Sequence, residues 1–152
     1  MNPFKSVRSL TPAFAFAVVA LAMPLIAAAA ADDNPLVAER WKTRPIVLVV
    51  PGNDDPLLQR VQTTLKLTAS REAFIDRDMV LYTVVAGEGR RNGQLLSARR
   101  TQAMLKALDI PVTAPPTFLL IGKDGGVKMT EGADVNLDAV FAEIDRMPMR
   151  RR

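Results

Sequence analysis

Three apolar runs, at residues 46–50, 79–85 and 117–121, dominate the pattern of the chain. Each is too short for a helix and is bounded by proline, glycine or charged residues. The first and third runs show no alternation with polar positions, which is typical of strands covered on both faces. The first and third runs therefore predict inner strands of a sheet, and the second run predicts a further strand.

Apolar residues at helical spacing predict three helices. The first begins after Asp55-Pro56, because aspartate accepts from free backbone N–H groups and proline suits the first helical position. It extends through about residue 70, and residues 71–78 close the connection to the next strand. Strand, helix and strand at this length predict a parallel unit with a right-handed crossover. The other two helices are predicted at residues 98–108, capped by Ser97, and at residues 136–147.

Turn residues connect these elements. Asp124-Gly125 predicts a two-residue turn with positive φ at both positions, so residues 127–130 return antiparallel to the third run. Residues 87–93 predict a solvated loop, since their glycines match neither the dinucleotide fingerprint nor the P-loop. The order is βαβ, a helix, then ββα, which predicts one α/β domain with a mixed central sheet flanked by helices.

Residues 1–31 predict a signal peptide: Lys5 and Arg8 precede an apolar segment and a run of alanines with small-residue cleavage sites. The alternative is an uncleaved membrane anchor. We expect export to the periplasm or secretion, and no membrane span after cleavage. The remaining divisions are a lead-in at 32–44, with at most a short helix and with Trp41 covering one end of the core, a domain at 45–147 and a basic tail at 148–152.

The chain contains neither cysteine nor histidine. This composition excludes dithiol exchange, Cys/His zinc sites and histidine acid–base catalysis, and no cofactor or metal ion is predicted. The formal net charge of +4 falls to +2 when Lys5 and Arg8 are removed. Because aromatic residues are also sparse, a nucleic-acid partner is not expected.

Pro116-Thr117 leading into a central strand, followed by the Lys123-Asp124-Gly125 turn, resembles the thioredoxin superfamily. The resemblance implies a thioredoxin-like domain with a cis peptide bond before Pro115 or Pro116. The redox Cys-x-x-Cys of that superfamily corresponds to residues 52–55 here, where no sulfur is present. Disulfide exchange is therefore not implied.

A closer resemblance is to an uncharacterised bacterial family of small exported thioredoxin-like proteins, a domain of unknown function that is similar to domains of some animal extracellular matrix proteins. The resemblance implies a fold and a location without an activity. The residues that carry it are Arg44-Pro45, Asp54-Asp55-Pro56-Leu57, Arg77-Asp78-Met79, residues 121–128, and the ending at 144–150 with its Met-Pro-Met-Arg sequence.

The first candidate site is a groove formed by Asn53, Asp54, Asp55, Pro116 and Thr117. Superfamily members use the proline strand to receive substrate backbone, and that capacity requires no sulfur. Two adjacent carboxylates also have the chemistry to bind a cation or to move protons. The alternative is that these acidic residues cap the helix and interact with its dipole, which explains the residue types fully.

The second candidate is a basic surface. Arg90 and Arg91 lie in the glycine-rich segment, and Arg150, Arg151 and Arg152 end the chain beside two methionines. Such a mixture suits a protein surface or anionic lipid. The alternative is an ordinary solvated face and tail.

Three hypotheses follow. The leading one is an exported, redox-inactive, non-enzymatic module that binds an unknown protein or peptide in the groove. The second is a cation-binding protein or enzyme using Asp54 and Asp55, with Asp124 as a further candidate residue. The third is a structural envelope protein that uses its basic tail. The sequence predicts no oligomeric state.

Overall fold

The seven-residue strand β1 (Arg44–Val50) lies inside a six-stranded sheet, and all seven of its residues are buried. The structure is a computed structural model that describes residues 33–148, so the predicted signal peptide and the arginines of the predicted tail lie outside it. The elements that follow β1 are α1 (Pro56–Lys66), α2 (Thr68–Asp76), β2 (Met79–Val85), β3 (Glu88–Arg91), β4 (Gln94–Leu95), α3 (Ala98–Ala107), β5 (Thr117–Ile121), β6 (Val127–Glu131) and α4 (Leu137–Arg146).

The strand order is β4-β3-β2-β1-β5-β6. β1 runs parallel to β2, with Arg44 opposite Met79 and Val50 opposite Val85. β1 runs antiparallel to β5, and β5 and β6 form an antiparallel pair. The predicted mixed α/β architecture is therefore confirmed, with β3 and β4 added beyond β2.

Both faces of the sheet are covered, as the apolar runs predict. α1, α2 and α4 pack on one face, which we call the α1 face, and α3 packs on the other, the α3 face. Side chains of β1 alternate between the two: Ile46, Leu48 and Val50 belong to the α1 core, whereas Val47 and Val49 belong to the α3 core. The predicted apolar stripe of the last helix is confirmed, since all four of its residues are buried: Leu137, Val140, Phe141 and Ile144.

The first helix is shorter than predicted. α1 ends at Lys66, Leu67 adopts an extended conformation, and α2 begins at Thr68, where the sequence suggested one helix and a connection. The apolar periodicity ends with Leu65, and none of the α2 side chains is fully buried. Two short helices therefore replace one long helix.

The prediction of a solvated loop at 87–93 is wrong. This segment forms β3 and a turn at Asn92 and Gly93, with φ values of 47° and 83°, that leads into the antiparallel strand β4. Asn-Gly with two positive φ values is the preferred two-residue hairpin turn. The Asn-Gly turn could be recognised in the sequence, but the charged residues of β3 lack the apolar pattern that predicts a strand.

The β5–β6 connection is also longer than the predicted two-residue turn. Only Gly125 has a positive φ, at 84°, while Asp124 accepts a hydrogen bond from Gly126 N at 3.1 Å through its side chain. Gly122 N donates to Gly126 O at 2.8 Å and closes the loop. An irregularity between Leu120 and Ile121 accompanies it.

Two further expectations are wrong. Trp41 does not cover the core, since it is 68% exposed. The peptide bonds before Pro115 and Pro116 are trans, since residues 33–148 contain no cis peptide bond. Instead, a turn closed from Ala114 N to Pro111 O at 2.9 Å leads the chain into β5. A short 3-10 helix, Pro35–Glu39, forms the lead-in. Within residues 33–148, the helices lack the length and apolar character needed to cross a bilayer.

Candidate functional site

The three polar residues after β1 have separate roles. Asp55 is buried, and its Oδ1 accepts from Leu57 N at 2.9 Å, so it caps α1 as the Asp-Pro sequence predicts. The Asp54 carboxylate lies over Gly52, where an added Cβ would be 2.9 Å from Oδ1. Asn53 is exposed, and its carbonyl accepts from Gln59 Nε2 at 2.7 Å. Capping thus accounts for one carboxylate and leaves Asn53 accessible.

Pro116 and Thr117 lie at the same end of the sheet as these residues. The antiparallel register places Thr117 opposite Val49, near the carboxyl end of β1. The Thr117 hydroxyl donates to Pro115 O at 2.7 Å, which satisfies it locally. The sheet therefore brings the predicted groove residues to the same end of its strands, but of them only Asn53 lines the pocket between α1 and β3.

A pocket of about 420 Å³ opens on the α1 face, near the carboxyl ends of β1 and β2. Its floor is the sheet itself, at Thr83 and Val85 of β2. α1 forms one side, and the β3 residues Glu88 and Arg90 form the other. The complete lining is Gly52, Asn53, Leu58, Gln62, Thr83, Val85, Ala86, Glu88 and Arg90. Asn53 and Arg90, which the sequence placed in two different candidate sites, share this pocket.

The charged side of the pocket is an exposed ion pair. Arg90 Nη2 lies 2.6 Å and Nε 3.0 Å from Glu88 Oε1. Both side chains are about half exposed, so the pair is weakly held and free to exchange partners with a ligand. The pocket thus offers both charges, the polar Asn53 and a floor on which Thr83 lies beside the apolar Val85.

Arg91, the neighbour of Arg90, faces the other side of the sheet. Its Nε donates to Glu39 Oε1 at 2.7 Å. The Tyr82 hydroxyl donates to the same oxygen at 2.8 Å, and Thr43 donates to Glu39 Oε2 at 2.6 Å. This network holds the lead-in against β2 and β3. Sequence analysis missed Glu39, because a single glutamate in a polar segment carries no signal of burial.

The network changes the acidity of its members. Burial would raise the pKa of Glu39, but the hydrogen bonds from Arg91, Thr43 and Tyr82 and the charge of Arg91 outweigh burial and lower it. Burial, then the hydrogen bond to Glu39 and its charge, raise the pKa of Tyr82. The arrangement keeps Glu39 ionised and Tyr82 neutral.

Several of the residues that carry the family resemblance lie together at the opposite end of β1, whereas Asp54-Asp55-Pro56-Leu57 lies at the pocket end. Arg44 is 1% exposed, and its Nη1 donates to Arg77 O at 2.9 Å. Arg77 reaches Asp145 Oδ2 at 2.6 Å, and its guanidinium lies 5.0 Å from the centre of the Phe141 ring. Lys123 and Asp78 pair at 2.8 Å. We call Arg44, Arg77, Asp78, Lys123 and Asp145 the motif cluster; it fastens four segments together.

Asp124 lies at this same amino-terminal end of β1, away from Asp54 and Asp55. It pairs with Lys128 at 2.6 Å, and this hydrogen bond, followed by that from the Gly126 amide, lowers the pKa of Asp124. The three aspartates therefore do not form one site. Within the described part of the chain, no group of three or more His, Cys, Asp or Glu side chains is placed to hold a metal ion.

The fold and the pocket define a class of protein: a mixed α/β domain with one six-stranded sheet and an open, polar-sided surface pocket. The sequence model of the family described as Domain of unknown function (DUF4174) matches residues 35–152, so the chain belongs to that family. A search of curated proteins and a search of solved structures each found no match.

The sequence signal for the rest of the pocket was weak. Leu58 was identified only as part of a helix face, and Thr83 and Val85 only as strand residues. Period-two alternation along β3 would have placed Glu88 and Arg90 on one side of the sheet and Arg91 on the other. The hairpin had to be recognised first for that pattern to be visible.

Proposed function

We propose that this protein is an exported, redox-inactive, thioredoxin-like module that binds an extended segment of a partner protein or peptide in the Asn53–Arg90 pocket. The single observation that carries the proposal is an open pocket floored by a sheet. Backbone groups of an extended segment would meet Asn53, Glu88 and Arg90, while an apolar side chain would lie on Val85 and Leu58.

The strand arrangement supports the thioredoxin-like part of the proposal. The inner order β2-β1-β5-β6, with β1 and β2 parallel and β5 and β6 antiparallel to their neighbours, is that expected of a minimal thioredoxin fold. β3 and β4 extend it beyond β2 and supply one side of the pocket. The sequence contains no cysteine, so this region lacks the residues for disulfide exchange. Binding of an extended segment requires no cysteine.

The test is to fill the pocket without disturbing the fold. Gln62 and Thr63 are neighbours on α1 and both are exposed, but only Gln62 lines the pocket. Gln62→Trp should place an indole over the floor and abolish capture of partners from the exported fraction. Thr63→Trp carries the same added side chain away from the pocket and should capture the same partners as the unmodified protein. Identical partners for both variants would contradict the proposed site.

The export part of the proposal rests on the composition of residues 1–31. Cell fractionation tests it, combined with mass spectrometry of the mature protein to locate its amino terminus. Cleavage near Ala31 and recovery outside the cytoplasm are the expected results. Retention of the full chain in the membrane fraction would favour an uncleaved anchor instead.

A further inference from the structure

A second recess, of about 500 Å³, lies on the α3 face, between the lead-in helix and α3. Two cationic side chains, Arg40 and Lys106, line it, and the small side chains of Ala103 and Ala107 leave the space open. The other lining residues are Asn34 and Val37. No acidic residue belongs to this lining, so the recess has a net positive charge.

The cations at this recess have no acidic partner among residues 33–148. Across residues 33–148, no carboxylate lies within 4.0 Å of the charged nitrogens of Arg40, Lys42 or Lys106. Arg40, Lys42 and Lys106 are exposed, whereas the less exposed cations Arg77, Arg91 and Lys123 each contact an acidic side chain at 2.6 to 2.8 Å. Uncompensated cations around a concavity are suited to an anionic ligand.

Trp41 follows Arg40 directly and is held out into solvent. It is 68% exposed and has a φ of 64°, a left-handed conformation that costs a large side chain about 1–3 kcal/mol. The conformation is fixed on both sides: Trp41 N donates to Lys123 O at 2.7 Å, and Thr43 N donates to Glu39 O at 3.0 Å. An exposed tryptophan at a strained position beside arginine has the composition of a binding hot spot.

We propose that the recess formed by Arg40 and Lys106, with Trp41 and Lys42 at its border, binds an acidic segment of a partner protein. Side-chain carboxylates of the segment would pair with Arg40 and Lys106, and Trp41 would cover an adjoining part of it. The recess is concave and lined by two cations, a shape that accommodates a peptide chain better than a planar lipid surface. This surface lies on the opposite face of the sheet from the Asn53–Arg90 pocket and is independent of it.

The chain contains a single tryptophan, so its fluorescence reports on this surface alone. The full-length protein is titrated at low salt with a glutamate-rich peptide, with the same peptide carrying glutamine in place of glutamate, and with vesicles containing phosphatidylglycerol. The acidic peptide should shift the emission to shorter wavelength in a saturable, salt-sensitive manner. The glutamine peptide should not shift it.

The paired variant Arg40→Glu with Lys106→Glu should bind the acidic peptide at least about tenfold more weakly, a loss of about 1.4 kcal/mol, since two charge-assisted contacts are removed. Arg71→Glu with Arg100→Glu changes the net charge equally at two exposed positions outside the recess and should retain binding. If the first variant fails to fold by circular dichroism, Arg40→Gln with Lys106→Gln replaces it.

Three results would overturn the proposal. The first is no emission change with the acidic peptide. The second is equal loss of binding in both charge-reversed variants, which would mean that net charge alone attracts the peptide. The third is a response to the vesicles without a response to the peptide, which would assign the surface to a membrane.

Discussion

The two ends of β1 are built in opposite ways. At the amino-terminal end, Arg44 is buried and donates a hydrogen bond to Arg77 O. Arg77 and Lys123 each contact an aspartate at 2.6 to 2.8 Å. At the carboxyl end, the Glu88–Arg90 pair is about half exposed beside an open pocket. One end has its charges committed to the fold, and the other leaves them accessible.

This difference separates charged residues whose contacts hold the fold together from charged residues that are accessible to a ligand. A buried cation requires specific partners, because desolvation of an unpaired charge is costly. The motif cluster satisfies that requirement across four distant segments, which explains why its residue types form a recognisable combination. The charged groups of the pocket are exposed near the carboxyl ends of the inner strands and require no specific partners. The pocket therefore has no comparable sequence pattern.

The sharpest test of the comparison is one arginine from each end. Arg44→Ala should lower the free energy of unfolding by about 3 kcal/mol, because it removes a buried charged hydrogen bond and the packing of a long side chain. Arg90→Ala should lower it by less than about 1 kcal/mol, since exposed ion pairs contribute little. Denaturant unfolding followed by circular dichroism measures both. Equal effects would mean that the two ends do not differ in the way their contacts suggest.

The second prediction concerns Glu39, which fastens the lead-in to the sheet. Glu39→Gln should lower the free energy of unfolding by about 2 kcal/mol near neutral pH, because a charged acceptor of three hydrogen bonds is lost. Thr43→Val is a partial control, since it removes one of the three donors and should cost less. A cost for Glu39→Gln no larger than for Thr43→Val would show that the network does not stabilise the fold.

The same variant has a defined pH dependence. The pKa of Glu39 is lowered from its ordinary value of 4.5 in the folded protein, so its contribution is present above that pH and is lost as pH falls through the folded pKa. The difference between the unmodified protein and Glu39→Gln should therefore shrink in acid. Unfolding curves at about pH 7 and about pH 3 measure it. A difference that stays constant between them would contradict ionisation of Glu39 as the cause.

The third prediction is an effect of about 1 kcal/mol at the open end. Asp55→Ala should lower the free energy of unfolding by that amount, because the Leu57 amide loses its capping acceptor. Asp54→Ala, one residue earlier, is the matched control and should have little effect, since Asp54 is exposed and does not cap the helix. If the two variants were equally destabilising, the distinction between capping and accessible residues at this end would fail.

Local chemistry explains what the sequence predicted well. Asp55-Pro56 and Ser97 each cap a helix as expected, because a cap depends on residues only a few positions apart. The uninterrupted apolar runs predicted the inner strands for the same reason. By contrast, Trp41 was expected to cover one end of the core. Its exposure depends on the Glu39 turn and on Lys123, more than 80 positions along the chain.

The pocket lay beyond prediction because it depends on tertiary placement. Thr83 and Val85 form its floor only because α1 lies over β1 and leaves part of β2 uncovered. Glu88 and Arg90 form its side only because Asn92 and Gly93 turn the chain back. Each step has local causes, but the uncovered area is set by how helices and strands are packed together.

The smallest expected effect is at the loop beside the motif cluster. Asp124 pairs with Lys128, and its pKa is lowered from 3.8 first by that contact. Both side chains are partly exposed, so solvent screens the pair, and Asp124→Asn should change the free energy of unfolding by no more than about 0.5 kcal/mol at about pH 7. The sign is that of Glu39: the contribution is present above 3.8 and disappears as pH falls through the folded pKa. The same unfolding curves measure this effect. A loss as large as that of Glu39→Gln would mean that the Asp124–Lys128 pair contributes strongly to the stability of the amino-terminal end of β1. The β5–β6 loop would then belong with the motif cluster in the contrast between the two ends.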